Sequence, residues 1–209
     1  MKGLHLTISV PAYLICMMAL TFQAISGEKN PQQSTPPRGA SHTVGTLRFT
    51  VPPNWILLSE SDLRDARHEY ESLIQPGYAG PATLESFEYF QLPNNSGMFV
   101  AWTIRIAKQK DFLFTIQKEE AANVENFRRQ GQVKKGICEI IKVNGGDVVK
   151  VDIDRVNGAK SVNFHHWSSD YPDVITVLQL GLRPGRNAKI ESEANTMFDS
   201  LSVVSNKQP

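Results

Sequence analysis

Two adjacent histidines, His165 and His166, are the residues best suited to proton chemistry near neutral pH in this 209-residue chain. Imidazole is the one side chain whose ordinary pKa falls between pH 5 and 8. Asp152 and Asp154, two residues apart, have a spacing that could offer oxygens to a hard cation. Ser168 and Ser169 add hydroxyls close to the histidines. His165, Asp152 and one of these serines would make the base, orienting acid and nucleophile of a hydrolase. Each group also has a plainer structural role. Neighbouring strand residues point to opposite faces, so His165 and His166 cannot grip one ion. Lys150 and Arg155 neutralise the two aspartates, and no acidic loop brings further oxygens. Cys138 sits within Ile137-Cys138-Glu139-Ile140-Ile141, a β-like run in which a thiol serves as a small buried hydrophobe. No Gly-x-Ser-x-Gly elbow, His-Glu-x-x-His helix or phosphate-binding loop occurs. The sequence therefore assigns no catalytic residue, no metal site and no cofactor.

The elements that must position these side chains can be read from periodicity. Thr46–Val51 alternates apolar and polar residues as a half-buried strand and stops at Pro52-Pro53-Asn54. Leu63, Ala66, Tyr70, Leu73 and Ile74 line one face of a helix over 62–75, capped by Ser61 or Asp62 and ended by Pro76-Gly77. Two strands follow, 84–92 and 98–107, and a four-residue loop would oppose Tyr89 to Trp102 and Phe87 to Ile104. A second helix over 113–130 closes at Gly131. A meander comes next: Ile137–Val143, Val148–Val156 and Lys160–Trp167, with turns at Asn144-Gly145-Gly146 and Asn157-Gly158. Val174–Leu182 is apolar on both faces, as a central strand must be. Residues 188–200 form the last helix. Together these make an α+β fold, an antiparallel β-sheet of about six or seven strands flanked by helices.

The register of the second hairpin decides which polar residues meet. A two-residue turn at Asn157-Gly158 opposes Ile153 to Val162, Val151 to Phe164 and Val149 to His166. Asp152 then shares the other face with Asn163, and Lys150 shares it with His165. Either register of the first hairpin puts Cys138 and Ile140 on the Val149/Val151/Ile153 face. His165, Trp167, Asp152, Asn163 and Lys150 thus form the candidate binding patch, an aromatic body with polar tips. A deep pocket holding both His165 and Asp152 would favour an exported hydrolase or small-ligand enzyme; a flat patch would favour partner binding.

The chain starts with a secretory signal. Lys2 is the only charged residue before Glu28, an apolar stretch fills Leu6–Phe22, and Ala24-Ile25-Ser26 offers small residues for cleavage. Residues 1–26 are read as signal peptide, 27–43 as an unstructured leader with no large apolar residue, 44–205 as one globular domain and 206–209 as a tail. Cleavage removes Lys2 and leaves 21 basic against 21 acidic side chains. That balance argues against a nucleic-acid partner, which needs basic charge to displace counterions. It leaves an exported protein, periplasmic or secreted, with a protein partner in the cell envelope and no stable membrane span once the signal is gone. Asn94-Asn95-Ser96 is a sequon that implies an exposed loop.

Three segments, in this order, carry a resemblance. They are Leu47-Arg48-Phe49-Thr50-Val51-Pro52-Pro53-Asn54-Trp55, Val143-Asn144-Gly145-Gly146-Asp147-Val148-Val149-Lys150-Val151, and Met197-Phe198-Asp199-Ser200-Leu201-Ser202-Val203-Val204. They resemble the opening strand with its Pro-x-x-Trp turn, the central hairpin, and the closing helix with its step into a short strand of the PsbP-like fold. That family includes DcrB-type exported bacterial proteins and a nuclear Ran-binding protein. The resemblance spans roughly residues 45–204. It implies an α/β/α sandwich and a binding or assembly-support role, and it carries no family site onto particular residues. Fold analogy alone does not fix function.

Overall fold

The strand that is apolar on both sides lies in the middle of the molecule. A computed structural model describes residues 39–74, 82–108, 110–185 and 188–204, without the side chains of 65, 66, 69, 70 and 72–74. The residues expected to be signal, most of the expected leader, the expected Pro76-Gly77 helix stop and the expected tail lie outside the described residues. The elements in chain order are β1 (Ser41–Val44), β2 (Leu47–Thr50), β3 (Ile56–Leu57), α1 (Glu60–Ile74), β4 (Thr83–Gln91), β5 (Gly97–Arg105), α2 (Phe112–Arg129), β6 (Val133–Val143), β7 (Gly146–Arg155), β8 (Lys160–Ser168), β9 (Tyr171–Leu182), α3 (Ala188–Asp199) and β10 (Ser202–Val203). Seven strands pair in the order β3-β4-β5-β9-β8-β7-β6, with every neighbour antiparallel. A second, three-stranded antiparallel sheet has the order β1-β2-β10.

β9 is the fourth strand of seven, and its two faces enter two separate cores. Ile175 and Val177 join Trp102, Ile104, Val149 and Val151 beneath α1 and α2, whose Leu63, Phe112, Ile116 and Val124 cover them. Leu178, Leu180 and Leu182 join Phe99, Phe164, Leu47, Phe49 and Trp55 beneath the small sheet and α3, which contributes Ile190, Ala194 and Met197. We call these the helical face and the small-sheet face. At roughly 1.5–3 kcal/mol for each large apolar side chain withdrawn from water, the two cores dominate stability.

Local signals explain most boundaries. Ser59, rather than Ser61 or Asp62, caps α1: its Oγ accepts from the Asp62 amide at 3.4 Å and donates to the Asp62 carboxylate at 2.6 Å. α2 ends in a Schellman motif, with Gln132 N–H on the Phe127 carbonyl and Gly131 N–H on that of Arg128. Gly131 has the positive φ, +70°, that this motif requires. The first described strand, β1, takes in Ser41, His42 and Thr43, residues expected to belong to the leader. Residues 41–44 pair with β2, and the His42 ring lies 5.3 Å from that of Phe90, edge to face. The β4–β5 pairing is offset by two residues from the expected one, with Phe87 opposite Trp102 and Tyr89 opposite Val100. The four-residue loop moves one residue back, to 93–96, closed by Leu92 N–H on the Gly97 carbonyl at 3.2 Å, because Gly97 already belongs to β5, where a Cβ would collide with the Gly181 carbonyl oxygen. A shift of two keeps all these side chains on the expected face.

Candidate functional site

The turn at Asn157-Gly158 sets the geometry of every sequence-predicted site residue. It is a three-residue loop, Val156-Asn157-Gly158, closed by Arg155 N–H to the Ala159 carbonyl at 2.8 Å. Gly158 takes the left-handed conformation, φ +87°, while Asn157 keeps a negative φ and accepts the Ala159 amide on its Oδ1 at 3.0 Å. A right-handed residue followed by a left-handed glycine adds one residue to the loop relative to the expected two-residue turn. The register becomes Asp152 opposite Val162, Val151 opposite Asn163, Lys150 opposite Phe164 and Val149 opposite His165. A slip of one residue sends each side chain to the other face of its partner strand.

The expected patch is therefore divided by the sheet. Asn163, His165 and Trp167 lie on the helical face, where they pair with Gln179, Val177 and Ile175 of β9. Asp152 and Lys150 lie on the small-sheet face, and Asp152 is held by Lys160 at 3.2 Å. His165 and Asp152 cannot share a pocket. Ser168 and Ser169 sit at the β8–β9 turn, where Ser168 Oγ accepts the Asp170 amide at 3.2 Å. The hydrolase set His165, Asp152, Ser168 and Ser169 thus does not converge. The Trp167 indole N–H is satisfied by the Pro172 carbonyl at 3.2 Å.

On the helical face the buried polar groups form a row. Cys138, Val151, Asn163, Gln179 and Val100 follow one another across β6, β7, β8, β9 and β5. Ile140, Val149, His165, Val177 and Trp102 form the adjacent row. Asn163, His165 and Gln179 are all buried. Asn163 Oδ1, His165 Nε2 and Gln179 Oε1 have no hydrogen-bond partner among the described residues. Burial holds the His165 imidazole neutral, its pKa lowered to about 4. Over the Cys138 end stands Glu120 of α2, fully buried, with its pKa raised to about 8 by burial, against the hydrogen bond from Asn123. Cys138 itself donates to the Gln117 carbonyl at 3.3 Å, and burial, with Glu120 and Glu139 nearby, pushes its thiol up to about 12. Such a thiol is not a nucleophile at neutral pH. Cys138 and Ile140 do face Val151 and Val149, as either register of the first hairpin required. Two members escaped sequence reasoning. Gln179 is a lone amide in an apolar strand, and Glu120 continues the four-residue spacing Phe112, Ile116, Glu120, Val124 of the buried helix face.

On the small-sheet face His166 is a satisfied core histidine. Its Nδ1 is 2.6 Å from Thr46 Oγ1, which lies 3.1 Å from Thr176 Oγ1; the Thr46 amide donates to the same Thr176 oxygen at 3.2 Å. Burial lowers the pKa of His166 to about 4. These hydrogen bonds tie the small sheet to β8 and β9. The site is structural.

What remains accessible is the sheet edge. β6 is the outer strand beyond β7. It carries Ile137 at 40% and Ile140 at 41% exposure, and α2, packed over this strand, carries Phe114 at 66%. Lys134, Lys135, Glu139 and Lys142 are exposed along the same strand. An edge strand presents backbone donors and acceptors to any chain able to extend the sheet. Among the described residues no group of three or more His, Cys, Asp or Glu could hold a metal ion, and no helix is long and apolar enough to cross a membrane. A comparison with protein-family models finds no match, and neither does a comparison with curated proteins.

Proposed function

We propose that this is an exported, non-enzymatic protein of the PsbP-like α/β/α sandwich kind, periplasmic or secreted, that binds a protein partner or supports an envelope-associated assembly. The observation that carries the reading is the β6 edge, where Ile137 and Ile140, exposed on opposite faces of the strand, lie among exposed charged side chains. Apolar side chains on an edge strand favour docking by strand addition, in which main-chain hydrogen bonds supply affinity and side chains supply selectivity. The signal sequence supports the compartment, and the long polar leader supports a tethered domain that reaches its partner. A hydrolase reading has lost its acid–base pair to opposite faces of the sheet.

The test is crosslinking mass spectrometry on intact cells expressing the tagged full-length chain with a photo-crosslinking residue in place of Ile137, with N-terminal sequencing of the product. A mature start at Gly27 and a reproducible protein crosslink from position 137 support the reading. An uncleaved start refutes the processing. A correct start with no crosslink from 137 to any protein refutes the docking role of β6.

A further inference from the structure

We infer that the partner of β6 is a second copy of the same chain, paired antiparallel about a twofold axis through Ile137 so that two seven-stranded sheets join into one. The inference rests on the reading of β6 as a docking strand and adds the occupant and the register. Two copies that extend one sheet must keep their faces aligned, so residues opposite each other across the seam share a face. On β6, Lys135, Ile137 and Glu139 share the small-sheet face, opposite Asp154, Asp152 and Lys150 of β7. The segment Lys135-Gly136-Ile137-Cys138-Glu139 has a base and an acid placed symmetrically about an exposed isoleucine. An antiparallel copy centred on Ile137 sets Ile137 against Ile137, Lys135 against Glu139 and Glu139 against Lys135.

This alignment makes a ladder of alternating charge across the seam. Lys150 and Glu139 of one copy continue into Lys135 and Asp154 of the other, and the same order repeats on the far side of the axis. Opposite charges directly across an antiparallel pair stabilise it and like charges oppose it. The neighbouring alignments are worse. Centring on Glu139 opposes two carboxylates. Centring on Cys138 sets Glu139 against Ile137 and Lys135 against Ile141. On the helical face the chosen register sets Gly136 opposite Cys138. The Gly136 carbonyl now accepts from Arg128 Nη2 at 3.1 Å. Arg128, also held by Glu125 at 2.7 Å, can yield that carbonyl to the incoming amide.

The test is sedimentation of the protein recovered from cells, from about 1 μM to about 1 mM, the range in which a short edge seam associates. Lys135, Ile137 and Glu139 are exposed, so their variants fold, which circular dichroism checks. A concentration-dependent dimer is expected. Lys135→Glu and Glu139→Lys should each weaken it about tenfold, because each converts two symmetry-related attractions into repulsions. The double reversal should bring it back to near the wild-type value, although it sets like charges opposite Asp154 and Lys150 of β7. Ile137→Cys in a Cys138→Ser background should form a self-crosslink under mild oxidation. A dimer that ignores both reversals, or one in which the Ile137→Cys variant never self-crosslinks, overturns the proposal. A monomer whose position 137 crosslinks to a different envelope protein overturns the dimer and leaves the docking reading standing; a monomer with no crosslink overturns both.

Discussion

Replacing Glu120 by glutamine should straighten the alkaline side of the stability curve. Glu120 is fully buried in α2, and its electrostatic neighbours include Asn123, Glu119 and Cys138. Burial raises its pKa from 4.5 to about 8. The folded protein therefore holds a proton there that the unfolded chain releases above pH 4.5. Stability from this proton is complete below pH 4.5 and is lost as pH rises through 8, because the unfolded state binds fewer protons over that window. At 1.36 kcal/mol per pH unit, tapering as the folded group itself titrates, the loss is about 2 kcal/mol from pH 6 to pH 8 and about 3 kcal/mol by pH 9. Glutamine keeps the shape and a hydrogen bond to Asn123 and does not titrate. Urea denaturation at pH 6, 7, 8 and 9 on both proteins measures the difference, from which titrations common to the two cancel. Glu120→Gln should gain on wild type by about 3 kcal/mol between pH 6 and pH 9. Curves that stay parallel to within about 0.5 kcal/mol would refute the argument, since Glu120 would then titrate alike in both states.

Other perturbations probe the same architecture. The two histidines titrate in the opposite sense: their folded pKa values are lowered to about 4, so their contribution is present above pH 6.5 and is lost as pH falls through 4. A His165→Phe variant should show a shallower acid limb in a urea series from pH 7 to pH 4. Asn163→Leu and Gln179→Leu each remove a buried oxygen without a partner among the described residues, and each should stabilise by about 1–2 kcal/mol, read as a rise in Tm of roughly 2–8 °C; destabilisation by both would show that the amides are satisfied. Gly45→Ala should cost roughly 2–4 kcal/mol, because φ is +53° and the new Cβ would collide with Thr176 Oγ1, breaking the threonine–histidine tie between the sheets; urea denaturation reads the loss. Val151→Asp buries a carboxylate between Cys138 and Asn163 and should abolish the cooperative melt seen by circular dichroism.

The amino-acid sequence by itself determined most of the elements and the α+β class, but not the second, three-stranded sheet β1-β2-β10. Helical spacing in Phe112–Arg129 and Ala188–Asp199, alternation in the meander and the doubly apolar β9 are local patterns, and local patterns survive folding because burial acts on them face by face. The same logic made Cys138 a core-facing thiol before its neighbours were known. The candidate site was legible only in part, for two physical reasons. At Asn157-Gly158 the backbone chose one left-handed residue instead of two, a small difference in torsion energy, and the one-residue slip that followed put Lys150 and Asp152 on the far side of the sheet from His165. The protonated Glu120, the amide row of Asn163 and Gln179, and the place of β6 at the sheet edge depend on which strands and helices meet. Tertiary structure alone decides that, because strand order and layer packing are set by long-range contacts among segments whose local patterns permit several arrangements.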